Sequence, residues 1–376
     1  MKRVVYGGLG LAHFEGQTLF LPYTAPGDTV DFVVEKEKKG CLFGRVESVA
    51  EPSPSRVKPE CPVFGECGGC QLLHVGYEEE VRIKKETAVA TLRRIGGVRM
   101  EPDGVTVSPS RFGYRNHALF KVGEGGARGF SERESSRIVP FPEQGCLLLP
   151  LVMREAIAAL PAGSLVPGTK VRSRIDSFGN VHFWGVEGII SPPDVLMEAG
   201  GLQFPVAPEA FFQINDLLNG SLMELVTGLP SRAPRSAVDL YCGAGFFTLP
   251  LARGAEKVTG IEVQRQAVKS AAAAAKLNRI ENVRFVREDA ERALSRVGEA
   301  DLVLTDPPRT GMSRKAIGSI ARLRPAEVIM VSCDPPTFAR DASRLAAKGY
   351  HLASLHLVDM FPGTYHVETV GLFRRS

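Results

Sequence analysis

The stretch Val238-Asp239-Leu240-Tyr241-Cys242-Gly243-Ala244-Gly245 decides the fold of this chain. A short apolar strand leads directly into a Gly-x-Gly turn, which lets the backbone approach a ligand closely. The next apolar run ends in Gly260-Ile261-Glu262, whose carboxylate can accept hydrogen bonds from two ribose hydroxyls. The third glycine of a dinucleotide fingerprint is missing, as is a phosphate-binding lysine, which disfavours NAD and ATP. These features predict an α/β domain that binds a nucleoside-bearing cofactor.

Strand and helix patterns alternate through the rest of the C-terminal part. Apolar runs predict strands at 237–240, 257–262, 283–286, 301–305, 328–332 and 367–373, and a helix at 264–277. This order predicts a doubly wound, mostly parallel, Rossmann-like sheet over residues 201–376.

Two further domains are predicted before this sheet. Residues 1–55 contain short β-rich runs separated by turns, which is typical of a small OB-like β-barrel, and a Pro-Ser linker follows. Residues 56–200 begin with clustered cysteines and a helical stretch at 77–95, and continue as a strand-dominated, mixed α+β region. The chain is therefore expected to have three domains.

Composition narrows the class of protein. The 376 residues are 44% hydrophobic and 23% charged, with a net charge of +4 and no apolar run long enough to span a bilayer. The N-terminal residues enter a strand-like pattern directly, and seven cysteines do not suggest a secreted disulfide framework. We therefore expect a cytoplasmic monomer with no membrane partner.

Positive charge is concentrated in one segment. Residues 81–140 contain twelve Lys or Arg against six Asp or Glu. Four aromatic residues that could stack on bases or pack in a sheet lie among them, namely Phe112, Tyr114, Phe120 and Phe130. This segment can bind an anionic polymer, although a solvated surface explains the charge equally well.

Two loops at predicted strand ends carry reactive groups. Asp306-Pro307-Pro308-Arg309 follows one strand, and Ser332-Cys333-Asp334-Pro335 follows the next. Ligands bind at the carboxyl ends of the strands in open α/β sheets, so a thiol and a carboxylate are expected at one edge. A lone buried cysteine is usually a small core residue, but these neighbours favour a nucleophile.

The ordered set of motifs resembles the RNA uracil-5-methyltransferases that use S-adenosylmethionine. The set comprises 211–215, 239–245, 306–309, 332–335 and 364–368. The resemblance extends over nearly the whole chain and implies a class I methyltransferase domain preceded by a TRAM RNA-binding domain, which residues 1–55 match through Tyr6-Gly7-Gly8 and Pro26-Gly27-Asp28.

The resemblance implies roles for particular residues. Cys333 is expected to be the nucleophile that adds to C6 of uracil, Glu368 the general base that removes the C5 proton, and Asp306 the group that positions the ring. The residues implied to bind S-adenosylmethionine are Gln213, Tyr241, Phe246, Glu262 and Asp306.

Two positions depart from the family pattern. Phe246 stands where members often carry Asn or Thr, so a polar contact to the cofactor is expected to be missing or supplied by the backbone. Gly363 follows Pro362 where a His is common, and this changes the setting of Glu368.

Clustered cysteines predict a second prosthetic group. Cys61, Cys67 and Cys70 lie close together with a Gly-Gly bend, and Cys146 is the candidate for a fourth thiolate. Four thiolates suit zinc and iron–sulfur chemistry equally on physical grounds, but the spacing resembles the 4Fe-4S site of the family. We expect a structural 4Fe-4S cluster.

The target of the reaction stays open at this point. Family members act on transfer RNA or ribosomal RNA, and those with a TRAM domain and a cysteine cluster resemble the 23S rRNA enzymes, so 23S rRNA is favoured over tRNA. An amino-group methyltransferase would use an aromatic residue in place of Arg309 and needs no thiol. A non-catalytic iron–sulfur RNA-binding protein is the alternative from another class.

Overall fold

The computed structural model describes all 376 residues, which form twenty strands and eight helices in four sheets. None of the helices combines the length and the apolar character that crossing a membrane requires.

The N-terminal sheet has five strands in the order β1-β2-β3-β5-β4. The strands are β1 (Arg3–Val5), β2 (Leu9–Phe14), β3 (Gln17–Pro22), β4 (Thr29–Lys38) and β5 (Cys41–Glu51). β3 and β5 pair in parallel, and the other neighbours are antiparallel. The predicted β-rich N-terminal domain is confirmed, and β2 is a strand that sequence patterns did not predict.

The central region contains helices and short strands that belong to three different sheets. Its elements are α1 (Tyr77–Gly96), β6 (Gly104–Thr106), β7 (His117–Val122), β8 (Arg128–Ser131), β9 (Ile138–Pro140), α2 (Leu151–Ala158), β10 (Lys170–Ile175), β11 (Val181–Trp184), β12 (Val195–Ala199) and β13 (Leu202–Val206). An antiparallel sheet has the order β11-β10-β7-β8-β9, and β12 pairs with β13.

The C-terminal region alternates between helices and strands. Its elements are α3 (Asn219–Gly228), β14 (Ser236–Leu240), α4 (Thr248–Ala252), β15 (Lys257–Glu262), α5 (Arg265–Leu277), β16 (Val283–Arg287), α6 (Ala290–Leu294), β17 (Leu302–Thr305), α7 (Arg314–Leu323), β18 (Glu327–Ser332), α8 (Pro335–Ala346), β19 (Tyr350–Val358) and β20 (Glu368–Arg375).

An eight-stranded sheet organises this region, in the order β16-β15-β14-β17-β18-β20-β19-β6. The first five strands are parallel, and β20 is antiparallel to both of its neighbours. The predicted Rossmann-like, mostly parallel sheet is confirmed. β19 was not predicted as a strand.

Both faces of this sheet are buried, which explains its continuous apolar strands. Alternate residues of β18 face opposite cores: Ile329 and Val331 belong to a cluster of 32 buried residues, and Val328 and Met330 to a cluster of 22. Helices therefore cover both sides, as a doubly wound fold requires.

Helix α1 connects the central region to the large sheet. Three glutamates in its first turn and two arginines in its last turn complement the helix dipole, and Gly97 ends the helix with a left-handed φ of 68°. Gly96 lies so close to α8 that an added Cβ would be 2.5 Å from the backbone oxygen of Ala339. The helix therefore packs tightly against α8.

The domain boundaries at residues 55 and 200 stay predictions. The structure adds that α1 packs on α8 and that β6 pairs in parallel with β19, forming the edge of the large sheet. A segment from within residues 56–200 is thus built into the C-terminal sheet.

Candidate active site

Cys333 lies at the carboxyl end of β18, in the tight connection to α8. Every residue of β18 is buried, and the Asp334 side chain caps α8 by accepting a hydrogen bond from the backbone N of Thr337 at 3.0 Å. Pro335 occupies the first turn, where its missing N–H costs nothing. The half-buried thiol is therefore held at the ligand-binding edge of the sheet.

Glu368 is the first residue of β20, the antiparallel neighbour of β18. The register pairs Ser332 with Thr369, so Cys333 and Glu368 are the next residues at the same end of the two strands. Glu368 is 2% exposed, and its Oε1 atom has no hydrogen-bond partner. A buried carboxylate thus lies beside the thiol with one oxygen available.

Asp306 follows β17, the other neighbour of β18. Its Oδ2 atom accepts a hydrogen bond from Gln213 Nε2 at 3.0 Å, and its backbone N donates to the Leu240 carbonyl at 3.3 Å. Because β17, β18 and β20 are adjacent, their ends bring Asp306, Cys333 and Glu368 into one site.

Burial raises the pKa of both carboxyl groups in this site. It raises the pKa of Asp306 to about 7, although the hydrogen bond from Gln213 acts in the opposite direction. The pKa of Glu368 lies well above its ordinary value because of burial and then the charge of Asp306, with Arg309 opposing. At neutral pH, at least one of these two carboxyl groups therefore carries a proton.

Burial and neighbouring charges also change the pKa of the Cys333 thiol. Burial and then the charge of Glu368 raise the pKa of Cys333 to about 12, and Arg309 is the group that lowers it. Cys333 is therefore a neutral thiol at neutral pH, and Arg309 is the cation that favours its thiolate.

Four buried polar atoms without partners lie in Glu368 or within two residues of Asp306 or Glu368 in the chain. They are Glu368 Oε1, Thr369 Oγ1, Thr305 Oγ1 and His366 Nδ1. Buried polar atoms are normally paired in folded proteins, so a group of unpaired ones at a sheet edge is typical of a binding site. A ligand with hydrogen-bonding edges can satisfy them.

The glycine turn after β14 forms the neighbouring part of the site. Glu262, at the end of β15, accepts a hydrogen bond from Gly243 N at 3.2 Å and another from Gln264 N at 2.7 Å. Tyr241 has a φ of 61°, a strained value for a residue with a side chain, and Gly243 and Gly245 also have positive φ. The strained turn and the carboxylate meet where a nucleoside was predicted.

Phe246 differs from the other predicted cofactor residues in its surroundings. It is 6% exposed, and its ring packs edge-on against Phe212 and Phe247 at centroid distances of 5.3 and 4.9 Å. The aromatic side chain therefore belongs to the core beneath the glycine turn, where an apolar ring packs well.

Tyr6 links the N-terminal sheet to this site, and sequence analysis did not assign it a role. Its hydroxyl donates a hydrogen bond to Asp334 Oδ1, and its ring is edge-on to Tyr365 with centroids 5.2 Å apart. Tyr6 and Asp334 are 328 residues apart in the chain. Only an alignment of related chains could have paired them, because no local pattern does.

A buried ionic network holds the segment that leads to Glu368. Lys84 Nζ donates to Glu80 Oε1 and to Asp359 Oδ1, both at 2.7 Å, and to the Phe361 carbonyl at 3.0 Å. Burial alone lowers the pKa of Lys84, but the two carboxylates raise it above its ordinary value. The ammonium group therefore stays charged and binds α1 to the segment before β20.

Gly363 is the second anchor of this segment. Its N–H donates to Glu80 at 2.6 Å, and its carbonyl accepts hydrogen bonds from the backbone N of Gln71 and of Leu72, both at 3.0 Å. Its φ is 81°, and an added Cβ would lie 3.0 Å from Leu73. A histidine at this position would strain the turn, so glycine is a structural requirement of this chain.

The four predicted metal-ligating cysteines line one small apolar pocket of about 30 Å³, and all four are free thiols. Burial raises the pKa of Cys61, Cys67, Cys70 and Cys146. The donor set matches four thiolates in number and type, but no group of three or more His, Cys, Asp or Glu side chains is placed so as to hold a metal ion.

A polar cleft of about 660 Å³ lies beside the cysteine pocket. It is bordered by the turn after β1, the cysteine loop and the central sheet, and Tyr365 forms the side nearest the active site. Arg115 lines both the cleft and the cysteine pocket, and Arg133 and His117 add further nitrogen donors. Glu132 and Glu134 also line the cleft, but they are paired with Arg137 and Lys36, whereas Arg115 and Arg133 are in no ion pair and can bind an anionic ligand.

Comparisons with known proteins agree with this geometry. A family model described as tRNA (Uracil-5-)-methyltransferase matches residues 198–376. An uncharacterized RNA methyltransferase of Aquifex aeolicus is 32% identical, over 99% of this chain and 97% of the relative. The 23S rRNA (uracil(1939)-C(5))-methyltransferase RlmD of Alkalilimnicola ehrlichii is 31% identical, over 98% of this chain and 94% of the relative.

One solved structure has the same fold from end to end. The Pyrococcus abyssi tRNA (uracil-54, C5)-methyltransferase in complex with S-adenosyl-L-homocysteine matches with a TM-score of 0.78 at 23% identity, and the match covers 99% of both chains.

Replacement of Lys84 by Met is expected to destabilise the protein by about 3–5 kcal/mol, because Asp359 would be left buried without a cation and Glu80 would keep only Arg111. The free energy of unfolding, measured with urea, checks this. Lys85→Met is the matched control, since Lys85 pairs with Glu101 in solvent at 3.4 Å and should change stability by less than about 1 kcal/mol. Equal losses in both variants would contradict the role of the network.

Proposed function

The chain belongs to the RNA uracil-5-methyltransferase family, and from this we propose that it methylates C5 of a uridine in structured RNA with S-adenosylmethionine as donor, 23S rRNA being favoured over tRNA. The observation that carries the proposal is the meeting of Cys333, Asp306 and Glu368 at the ends of three adjacent strands.

The chemistry of uracil explains why these groups are needed. C5 of uracil is a poor nucleophile until a thiolate adds to C6 and converts the ring to an enolate. We assign this addition to Cys333, with Arg309 favouring the thiolate that forms. Asp306 lies on the opposite side of the thiol from Glu368 and can hold the ring through its polar edge.

S-adenosylmethionine, when bound, supplies an electrophilic methyl group on its sulfonium sulfur. Of the chain's own residues, we assign Glu262 to the ribose hydroxyls and Gln213, Tyr241, Phe246 and Asp306 to the rest of the donor. The support is that the Gly243 turn and the buried Gln213–Asp306 pair adjoin Cys333 on the sheet edge. Phe246 would contribute through the backbone and an apolar wall.

Product release requires a base. Once the ring carries the methyl group, Glu368 takes the C5 proton, the C5–H electrons re-form the C5–C6 double bond, and the C6–S bond breaks to release the Cys333 thiolate. The raised pKa of Glu368 suits this step, because a carboxylate with a raised pKa is a stronger base.

The cleft beside Tyr365 supports an RNA substrate. Its arginines can contact phosphates, and a uridine that leaves its stack can reach Cys333 past the Tyr365 ring. The RlmD relative supports ribosomal RNA as the target. We also propose that the protein acts as a monomer in the cytoplasm, where both RNA classes are found.

We further propose that Cys61, Cys67, Cys70 and Cys146 hold a structural 4Fe-4S cluster. Support comes from four free thiols on two separate segments around one apolar pocket, the environment in which such clusters are bound. Zinc is the alternative for the same donor set. The ligands would fix the loop that contains Cys70, which is joined to Gly363 through Gln71.

Cys333→Ala is expected to reduce methyl transfer to RNA by at least about 10³-fold, and Glu368→Gln by about 10²–10⁴-fold. The two variants should differ in one respect: Glu368→Gln accumulates a covalent RNA–protein adduct, because the ring is methylated but cannot eliminate the thiol. Labelled methyl transfer to unmodified ribosomal and transfer RNA, with denaturing gels for the adduct, measures both effects.

Cys41→Ala is the control for this experiment, since Cys41 lies in the N-terminal sheet and should keep full activity. Mapping the modified base shows whether ribosomal RNA or transfer RNA is the substrate. A methyl group found on an amino nitrogen of the RNA, or methyl transfer that persists in Cys333→Ala, would contradict the proposal.

The rate of methyl transfer at saturating RNA should rise at least about tenfold per pH unit between pH 6 and 8.5. Only the thiolate of Cys333 adds to C6, and a pKa of about 12 keeps its fraction small but growing throughout this range. Deprotonation of Glu368 acts in the same direction. Single-turnover rates test this, and Arg309→Gln should lower the rate at every pH. A rate that falls as pH rises would contradict the assignment.

Anaerobically purified protein should contain about four iron atoms and four acid-labile sulfides per chain. Cys70→Ser is expected to lose most of both, whereas Cys41→Ser keeps them, because Cys70 lines the pocket and Cys41 does not. Metal and sulfide analysis measures this. One zinc per chain without sulfide would replace the cluster with a zinc site, and the absence of both metals would refute a metal site.

A further inference from the structure

A second groove, of about 890 Å³, runs between β1 and α1, away from the cysteines. Four exposed arginines line it: Arg3 from β1, Arg93 and Arg94 from the last turn of α1, and Arg99 from the segment that follows. The left-handed Gly97 turns the chain so that Arg99 joins the others. The groove therefore gathers cations from two segments that are far apart in the chain, β1 and residues 93–99.

These four arginines are not neutralised within the protein. The other cations of the groove are paired, since Arg82 bonds to Glu79 and Glu86, and Lys85 pairs with Glu101. Arg3, Arg93, Arg94 and Arg99 take part in none of the ion pairs of the structure. Favourable interaction with the helix dipole accounts for Arg93 and Arg94, but not for the two arginines outside the helix.

The position of the groove relates it to the active site. Tyr6 lines the groove, and its hydroxyl bonds to Asp334, the residue after Cys333. Tyr365, against which the Tyr6 ring packs, lines the polar cleft instead. The groove and the cleft thus lie on opposite sides of the Tyr6–Tyr365 pair, and both adjoin the surroundings of the thiol.

We propose that this groove binds the sugar–phosphate backbone of the RNA strand that flanks the target uridine, opposite the part held in the cleft. This inference rests on the proposed function. Arginine side chains bind phosphates whatever the base sequence is. The groove would therefore hold the strand in place without recognising its sequence. A single strand is favoured because the uridine must be unstacked to reach Cys333.

The test measures RNA affinity as a function of salt in the variant Arg93→Gln/Arg94→Gln. Each cation that neutralises a phosphate contributes about 0.7 to the slope of log K against log salt for single strands, so the slope should fall by about 1.4. Affinity should weaken several-fold at low salt, while the rate at saturating RNA stays unchanged. Arg3→Gln/Arg99→Gln should produce a shift of the same size.

Lys276→Gln/Arg279→Gln is the matched control. It removes the same charge from the C-terminal end of α5, which packs on the other face of the sheet, and both residues are exposed. The control variant is expected to keep the wild-type slope and affinity. If the control and groove variants weaken RNA binding equally, the effect comes from the net charge of the protein and not from the groove, and the proposal is overturned.

RNA length supplies a second readout. A series of substrates shortened from either side of the target uridine should include one truncation that weakens binding to the wild type but leaves the Arg93→Gln/Arg94→Gln variant unaffected. If both groove variants keep the wild-type slope and affinity while the wild type still methylates uridine, only the proposal that the groove binds RNA is refuted. Absence of any uridine methylation by the wild type would instead refute the proposed function.

Discussion

The buried ammonium group of Lys84 is the interaction on which the other parts of the active site depend. It joins Glu80 of α1 to Asp359 and to the Phe361 carbonyl, 275 and 277 residues away. Burying three charges is costly unless each is paired, so this arrangement tolerates little displacement of any partner. Glu80 also accepts the Gly363 N–H, and Gly363 in turn binds Gln71 and Leu72. One network thus fixes the helix, the cysteine loop and the approach to Glu368.

In the absence of a ligand, the active site buries three titratable groups in surroundings that disfavour their charged forms. Burial raises the pKa of Asp306, Cys333 and Glu368, and Arg309 is the cation that acts against this for the thiol and for Glu368. Such a site favours neutral groups until a ligand supplies hydrogen bonds to Glu368 Oε1 and the nearby hydroxyls. A neutral pyrimidine ring is a suitable occupant, because its edges offer both donors and acceptors and bring no charge that burial would penalise.

The sequence predicted the parts of the structure that local patterns encode. Apolar runs identified the parallel strands, and the ordered motifs identified Cys333, Asp306 and Glu368 as candidates whose roles are still to be tested. The three-residue strand β6 could not be predicted, because so short a segment has no periodicity and pairs with β19 only through tertiary packing. The contacts of Tyr6 with Asp334, and of Lys84 with Asp359, join residues too far apart for any local signal. Phe246 was expected near the cofactor from its position in a motif, and its core packing depends on Phe212.

The position of β20 has a consequence for synthesis of the chain. This strand lies inside the large sheet, between β18 and β19, although it follows both of them in the chain, and Glu368 is its first residue. A nascent chain can form the N-terminal sheet early, since domains fold as they emerge from the ribosome. The large sheet, in contrast, stays divided until residues 368–375 are available to join its two parts. Messages truncated between the codons for Cys333 and Glu368 would therefore yield chains with Cys333 present but the sheet incomplete, and quality-control proteases would encounter them as unfolded protein.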